Sequence, residues 1–299
     1  MLDRITVSTF ESAWRSAPEI GDRFELLLVD EVHHLGNGIR DEILEMSLAR
    51  ARLGLTATPV EGAARERLCE LVGPPVYELA IGDLRGGYLA DFDVVTMMLD
   101  LTPDERESYE RALGRFREWR AAHLASGASL AWDELVRLAA RSDDGRRAIR
   151  SWFEAKQLVA FPVAKRRVLG ALLTRHDDAR KLVFTTDNDT AYAIAREHLV
   201  MCITCEIRRS ERDEALGRFR RGELRTLVSA RVLNEGIDVP DADVAIVVGG
   251  AGGPREHVQR VGRVLRPQAG KRALVYELVM RRTFETRRAQ QRRRALDGR

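Results

Sequence analysis

The feature of this sequence that most constrains its fold is a series of short apolar runs separated by helical patterns. The first run, Glu25–Asp30, has three leucines and a valine and ends on an acidic residue, as buried parallel strands often do. Runs of the same kind follow at Arg52–Thr56, Lys181–Thr185, Leu224–Ser229, Val244–Gly249 and Ala273–Leu278. Helical patterns lie between them, among them Asp189–Leu199 and Ser210–Arg220. Strands that alternate with helices predict α/β layers built on parallel sheets.

The middle of the chain has a different pattern. Thr102, Pro103 and Glu105 have the spacing of a helix N-cap, a first-turn proline and a capping-box glutamate. The apolar stripe of this helix contains Tyr109, Leu113, Phe116 and then Trp119 or Arg120. A second helix is expected around Trp132, Leu135, Val136 and Ala139, and a third around Ile149, Trp152 and Phe153. Residues 100–165 are therefore predicted to form a helical insert between two α/β parts.

Length and composition restrict the class of protein. A chain of 299 residues with 44% hydrophobic and 32% charged residues is expected to fold as two globular domains. No apolar run approaches the ~18–20 residues of a membrane span, and Met1–Phe10 lacks a signal-peptide core, so a cytoplasmic protein without membrane contact is expected. Three cysteines are too few for a disulfide framework. Cys202 and Cys205 have C-x-x-C spacing at the end of an expected strand, but a zinc site needs four ligands.

The charge is unevenly distributed along the chain. The whole sequence has a formal charge of +3, whereas residues 281–299 contain eight arginines and two acidic residues and so carry a local charge of +6. A basic C-terminal tail of this kind predicts either phosphate contacts or a solvated helix end.

Two groups of polar residues follow expected strands. Asp30 and Glu31 come at the end of the first strand, where the carboxyl edge of a parallel sheet faces a ligand. An aspartate there can hold Mg²⁺ through water, and the adjacent glutamate can deprotonate an attacking water. Thr56 and Thr58 follow the next strand, where hydroxyls can relay a hydrogen bond from such a site, although taken alone they are better explained by a capped turn before a helix.

A third group lies near the C-terminus. Arg263 and Arg266 are three residues apart, so that both guanidinium groups can lie on one helical face and point at a cluster of phosphates. Gly262 permits a close approach at that position.

Taken in order, these groups resemble the motifs of superfamily 2 helicases. Asp30–His33 resembles motif II and Thr56–Thr58 motif III, while Asn234–Asp238 resembles motif V and Gln259–Arg266 motif VI. The Asp-Glu-Val-His-His spelling and the stretches Leu53–Pro59 and Val232–Pro240 look most like the XPB-like branch. Val7–Phe10 resembles motif Ib, and Phe184–Thr186 resembles motif IV. The resemblance extends from residue 5 to about residue 280 and is weakest in the helical insert.

The resemblance implies a fold and an activity. It implies two RecA-like parallel-sheet domains, an ATP-dependent DNA helicase or translocase moving 3′ to 5′, and ATP with Mg²⁺ as cofactors. DNA is the implied partner, with RNA also open. The expected segments are a partial RecA-like domain 1 at 1–99, the helical insert at 100–165, a RecA-like domain 2 at 166–280 and a basic tail at 281–299.

The resemblance also implies a role for particular residues. Asp30 would hold Mg²⁺ and Glu31 would position the hydrolytic water, while His33, Thr56 and Thr58 would couple nucleotide state to nucleic acid. Gly236 and Asp238 would approach the nucleotide, and Gln259, Arg263 and Arg266 would reach its γ-phosphate. Thr9, Thr185 and Ser229 would contact the backbone of the tracked strand, which gives grip without reading sequence.

One motif of the family is absent from the sequence. A motor of this class needs a P-loop, G-x-x-x-x-G-K-[ST], to cradle the phosphates, and none of the four lysines (Lys156, Lys165, Lys181 and Lys271) lies in that context. We therefore expect the chain to start inside an incomplete first RecA-like domain whose remaining strands leave backbone and apolar surface uncovered. Three explanations are open: a truncated copy of a longer helicase, a P-loop on a separate polypeptide, and a degenerate helicase that acts as a binding module.

Alternatives to the motor remain at this stage. The main one is a catalytically incomplete fragment that binds nucleic acid or a partner, which the absent P-loop and the basic tail favour. A nuclease or other phosphotransferase that uses Asp30 and Glu31 would leave Gln259–Arg266 without a role.

Overall fold

The chain divides into two compact units, each of which is an α/β structure. The protein is described by a computed structural model that covers residues 4–56, 59–78, 91–124, 130, 132–230, 242–249 and 272–296. The first unit is Met1–Leu79 and the second unit is Ala80–Arg299. Within the described ranges, no helix is both long and apolar enough to cross a membrane.

The first unit is built on a short parallel sheet. Its elements are α1 (Phe10–Ile20), β1 (Leu26–Val29), a 3₁₀ turn (Val32–His34), α2 (Glu42–Glu45), β2 (Ala51–Gly54) and α3 (Ala63–Leu71). Strand β1 pairs with β2 in parallel from Leu26↔Ala51 to Val29↔Gly54. Val29 and residues from the turn and α2 form a small core beneath one face of this sheet. On the other face Leu26, Leu28 and Leu53 are exposed.

The second unit contains a six-stranded parallel sheet. Its first six elements in chain order are β3 (Asp91–Leu99), α4 (Pro103–His123), α5 (Trp132–Ala139), α6 (Asp143–Ala160), α7 (Val163–Arg175) and β4 (Lys181–Thr185). The later elements are α8 (Asn188–His198), β5 (Met201–Ile203), α9 (Arg209–Arg220), β6 (Thr226–Ala230), β7 (Val244–Val247), β8 (Arg272–Met280) and α10 (Phe284–Leu296). The strand order is β3-β8-β7-β4-β6-β5, and every pair is parallel.

Both faces of this larger sheet are covered. Leu182 and Phe184 of β4 point to one face and pack with Phe219 of α9. Val183 points to the other face and packs with Leu169 of α7 and Ile194 of α8. Every residue of β4 is buried, which explains why its sequence is a continuous apolar run rather than an alternating one.

The three helices predicted in the middle of the chain are found as α4, α5 and α6, whereas α7 was not predicted. The Thr102 hydroxyl accepts a hydrogen bond from the Glu105 amide, and the Glu105 carboxylate accepts one from the Thr102 amide, which completes the capping box that starts α4. The apolar stripe of α4 continues through the buried Trp119, whereas Arg120 is exposed. These side chains pack against α5 and α6.

The division of the chain differs from the expected boundary after residue 99. Strand β3 pairs along its whole length with β8, from Asp91↔Arg272 to Leu99↔Met280, so residues 91–99 belong to the sheet of the second unit. The partner strand is 181 residues away in sequence, and a local pattern of polar and apolar residues does not reveal such a distant pairing.

The basic C-terminal stretch begins as a packed element. In α10 the Glu285 carboxylate is buried and lies 2.8 Å from the Lys165 ammonium of α7, which is itself fully buried. Glu285 also accepts a hydrogen bond from the Met280 amide. The first turns of this helix are therefore part of the folded second unit rather than a free tail.

Candidate functional site

The polar residues that follow β1 and β2 lie side by side. Because β1 and β2 are parallel neighbours, their carboxyl ends meet at one edge. Beyond the strands the two segments stay hydrogen-bonded, since the Leu55 amide donates to Val29 and the Val32 amide donates to Leu55. Asp30, Glu31 and Thr56 are thereby brought to the same edge.

Glu31 has an unusual backbone conformation. Its φ and ψ are 54° and 43°, in the left-handed region, which is uncommon for a residue other than glycine, asparagine or aspartate. The Asp30 carboxylate accepts a hydrogen bond of 3.0 Å from the Glu31 amide and so supports this sharp turn. Such conformations cost ~1–3 kcal/mol and concentrate at functional sites. Here the turn directs the chain from β1 into the 3₁₀ turn that carries His33.

His33 joins the carboxylate to the neighbouring strand. Its Nδ1 lies 2.9 Å from the Thr56 hydroxyl and 3.3 Å from a carboxylate oxygen of Glu31. The imidazole side chain is only 8% exposed, whereas that of Glu31 is 31% exposed. The imidazole therefore lies against one oxygen of a carboxylate whose side chain is still partly exposed, and a base that acts on a water molecule needs such access to solvent.

Asp30 fits the role of a magnesium ligand. It is exposed at the strand end, and one of its oxygens is oriented by the Glu31 amide. Within the described part of the chain, no three His, Cys, Asp or Glu side chains cluster as a metal site would require. Mg²⁺ that arrives with a nucleotide takes most of its ligands from phosphates and water and needs only one or two protein carboxylates. The donor chemistry at Asp30 agrees with that mode of binding.

The three residues expected to contact nucleic acid differ in exposure. Thr9 is exposed and is the N-cap of α1, where its hydroxyl accepts from the Ser12 amide at 3.3 Å. Thr185 and Ser229 are buried, at 0% and 1% exposure. They also point to opposite faces of the sheet, because the register partner of Ser229 is Phe184 rather than Thr185. The Thr185 hydroxyl donates to the Asp187 carbonyl.

The carboxyl edge of the second sheet carries a polar network whose residues were not predicted as site residues from the sequence. The Tyr192 hydroxyl donates to Glu206 at 2.7 Å and lies 2.8 Å from the Thr204 hydroxyl. Asn188 donates to the other oxygen of Glu206 at 3.1 Å. These hydrogen bonds lower the pKa of the Glu206 carboxyl. Thr204 and Glu206 follow β5 as Asp30 follows β1, so their position directly after a strand is the signal that could have identified them.

Several of the expected site residues lie outside the described residues. They are Thr58, Gly236, Asp238, Gln259, Arg263 and Arg266. The two cysteines of the C-x-x-C spacing are described: Cys205 is exposed, and burial of Cys202 on β5 raises the pKa of its thiol.

Family models match both ends of the chain. Residues 164–268 match the helicase conserved C-terminal domain, and residues 2–61 match the type III restriction enzyme res subunit. The fold is similar to the crystal structure of the Pyrococcus furiosus Hef helicase domain, with a TM-score of 0.57 at 16% identity over 95% of this chain and 77% of that one. The parallel sheets and this likeness identify a RecA-like two-domain fold.

Several proteins of similar sequence are named as XPB helicases or translocases. The chain is 35% identical to the DNA 3′-5′ translocase XPB2 of Sulfurisphaera tokodaii over 98% of its own length and 67% of that protein. It is 29% identical to the DNA 3′-5′ helicase XPB of Mycobacterium tuberculosis over 98% of its own length and 48% of that protein. The chain thus spans about two thirds of the first relative and about half of the second. By this identity and coverage, the chain belongs to the XPB-like family of superfamily 2 helicases.

Proposed function

We propose that this chain works in an ATP-dependent DNA translocase or helicase that moves 3′ to 5′. The observation that carries the proposal is the grouping of Glu31, His33 and Thr56 at the carboxyl edge of β1 and β2. It places a solvent-accessible carboxylate, a buried imidazole and a hydroxyl from the adjacent strand within hydrogen-bond distance. The names of the XPB relatives support DNA as the substrate and 3′-5′ as the direction.

The carboxylates of Asp30 and Glu31 would have different roles in ATP hydrolysis. Mg²⁺-ATP, when bound, supplies the phosphoanhydride that is cleaved, and Asp30 would hold its metal ion. Glu31 would accept the proton of the attacking water, because its carboxylate is partly exposed to solvent at the end of β1 and lies 3.3 Å from the His33 imidazole. By the family resemblance, Gln259, Arg263 and Arg266 would stabilise the charge that develops on the γ-phosphate, and Gly236 and Asp238 would approach the nucleotide.

The remaining residues would connect this chemistry to DNA. His33 and Thr56, with Thr58, would relay nucleotide state between the strand ends. Thr9 would contact a phosphate at the exposed start of α1, where the helix dipole favours an anion. Thr185 and Ser229 are buried in this structure, so they would reach the DNA backbone only after neighbouring side chains move.

The proposal needs a P-loop from outside the present sequence, because the 299 residues contain no G-x-x-x-x-G-K-[ST]. A direct test joins the P-loop-bearing segment of an XPB relative to the start of this chain and measures ATP hydrolysis with and without DNA. We expect DNA to stimulate turnover in this chimaera. Glu31→Gln should lower the stimulated rate by about 100-fold or more, which is the scale of a lost general base.

The matched control for this test is Glu25→Gln. Glu25 is an exposed carboxylate at the opposite end of the same strand, so its neutralisation should leave turnover within about twofold. A folded chimaera that binds DNA without stimulated turnover, or a Glu31→Gln variant that keeps it, would contradict the assignment.

A second candidate is a module that binds nucleic acid or a partner without turnover. It is favoured by the uncovered leucines on the first sheet, since exposed apolar patches mark interaction surfaces. For this candidate, DNA binding by the chain alone would weaken with salt and with replacement of Arg292, Arg293 and Arg294 by glutamine. Stimulated ATP turnover by the chimaera would argue against it.

A further inference from the structure

Three rings form a continuous series of contacts in the first unit. The rings of Phe10 and His34 meet edge to face, with centroids 5.9 Å apart and an interplanar angle of 66°. The His34 ring lies over that of His33, with centroids 4.3 Å apart and an angle of 35°. The rings belong to α1 and to the 3₁₀ turn, which are separated in sequence by the whole of β1.

The two ends of this series lie in the two parts of the proposed site. Phe10 is the first residue of α1 and directly follows Thr9, the N-cap at the exposed helix start. His33, at the other end, lies against the Glu31 carboxylate and the Thr56 hydroxyl. His34 connects them while remaining exposed itself, and the hydrolytic step assigns it no chemical work.

We propose that Phe10 and His34 are positioning residues that link occupancy of the α1 N-terminus to the placement of the Glu31 carboxylate. The inference rests on the proposed function, because it takes DNA as the ligand at the start of α1. It adds a specific physical connection, through two aromatic contacts, between the DNA-binding and hydrolytic parts of the first unit.

The contacts have the properties that such a connection requires. Aromatic rings have few rotatable bonds, and the exposed His34 ring has a ring contact on each side, with Phe10 and with His33. A shift of α1 that moves Phe10 therefore displaces His34, and His34 displaces the ring on which it is stacked. His33 in turn has two alternatives, since the same Nδ1 atom lies 2.9 Å from Thr56 and 3.3 Å from Glu31. A choice between two partners is a discrete change of state, which coupling between sites needs.

The experiment follows the histidine rings while DNA binds. The chain carries six histidines, so selective ¹⁵N-imidazole labelling gives few signals, and single His→Asn variants assign them. The ring signals are recorded by NMR during titration with a short single-stranded DNA oligonucleotide, and affinity is measured independently by fluorescence anisotropy. In the unsubstituted chain we expect the His33 and His34 signals to move with the same apparent Kd as the anisotropy.

Two substitutions interrupt the series at different points. Phe10→Leu keeps an apolar residue at the start of α1 but removes the ring, and His34→Asn removes the exposed ring with little risk to folding. In both variants the DNA affinity should stay within about threefold, a change of less than 1 kcal/mol, while the His33 signal no longer responds to DNA. Trp14→Phe is the control, because Trp14 lies one turn further along α1 and donates to Glu42 instead of meeting His34. It should leave the His33 response intact.

The outcomes separate this inference from the proposed function. If DNA binds and the His33 signal moves equally with and without the Phe10 and His34 rings, the inference is overturned and the proposed function stands. DNA binding that leaves the His33 signal of the unsubstituted chain unmoved has the same consequence. If the anisotropy shows no binding, the DNA role of α1 fails, and the inference fails with it.

Discussion

The two sheets of this protein are built from the same kind of strand but are covered to different extents. In the second unit, β4 is buried along its whole length and helices pack on both of its faces. In the first unit, β1 has Val29 inside, while Leu26 and Leu28 are 58% and 53% exposed. Both strands are short apolar runs that end in polar residues, so the sequence pattern alone does not distinguish them.

The difference also extends to the residues at the strand ends. Asp30 and Thr9 of the first unit are open to solvent, and the Glu31 side chain is partly open. Thr185 and Ser229 at the corresponding edge of the second unit are buried. The first sheet therefore has exposed polar side chains at its carboxyl edge and an uncovered face, whereas the second sheet is covered on both faces and the hydroxyls of Thr185 and Ser229 are buried.

The largest expected effect on stability concerns the buried Lys165–Glu285 ion pair of the second unit. Lys165→Met should destabilise this unit by about 3–5 kcal/mol, because it leaves the buried Glu285 carboxylate without its cation. Chemical denaturation followed by tryptophan fluorescence is a suitable measurement, since Trp119, Trp132 and Trp152 all lie in the second unit.

An exposed ion pair of the same unit provides the control for Lys165. Arg137 and Asp133 are 71% and 69% exposed, so Asp133→Asn should cost less than about 1 kcal/mol. If Lys165→Met costs no more than this control, then water reaches the Lys165–Glu285 pair and the second unit is less sealed than its structure indicates.

A smaller effect compares the two sheets directly. Leu182→Ala in β4 should cost about 2–5 kcal/mol, because it opens a cavity in a fully buried site. Leu28→Ala in β1 should cost less than about 1 kcal/mol, because more than half of its side chain is already in water. Tryptophan fluorescence reports the first change, and hydrogen exchange of β1 amides reports the second.

A large loss of stability in Leu28→Ala would contradict this comparison. If Leu28→Ala destabilised β1 as much as Leu182→Ala destabilises β4, the outer face of the first sheet would be covered in solution. Repeating the hydrogen exchange at several protein concentrations would then separate self-association from contacts within one chain, since only association depends on concentration.

Local sequence signals predicted much of the fold. Strand β4 has the predicted bounds, Lys181–Thr185, because a continuous apolar run between turn signals leaves little choice. The capping box of Thr102 and Glu105 fixed the start of α4. The resemblance assigned Glu31, His33 and Thr56 to one site, and in the structure the Nδ1 atom of His33 lies 2.9 Å from the Thr56 hydroxyl and 3.3 Å from the Glu31 carboxylate.

What the sequence did not reveal depends on register and on distant contacts. Strand β3 pairs with residues 181 positions away, and a local pattern does not reveal such a pairing. The opposite orientations of Thr185 and Ser229 follow from a register of β4 and β6 that only the structure provides. The contact of Phe10 with His34 likewise depends on how α1 packs beside the 3₁₀ turn, which no periodicity encodes.

The most direct test of the central claim is a double-mutant cycle on His33 and Thr56 in the P-loop-bearing chimaera. The claim is that Glu31, His33 and Thr56 act as one unit, joined through the Nδ1 atom of His33. DNA-stimulated turnover is measured for His33→Asn, Thr56→Val and the double variant. The double variant should lose no more activity than the worse single variant, since either substitution already breaks the unit. Losses that multiply would mean that the two residues act independently, and would contradict the claim.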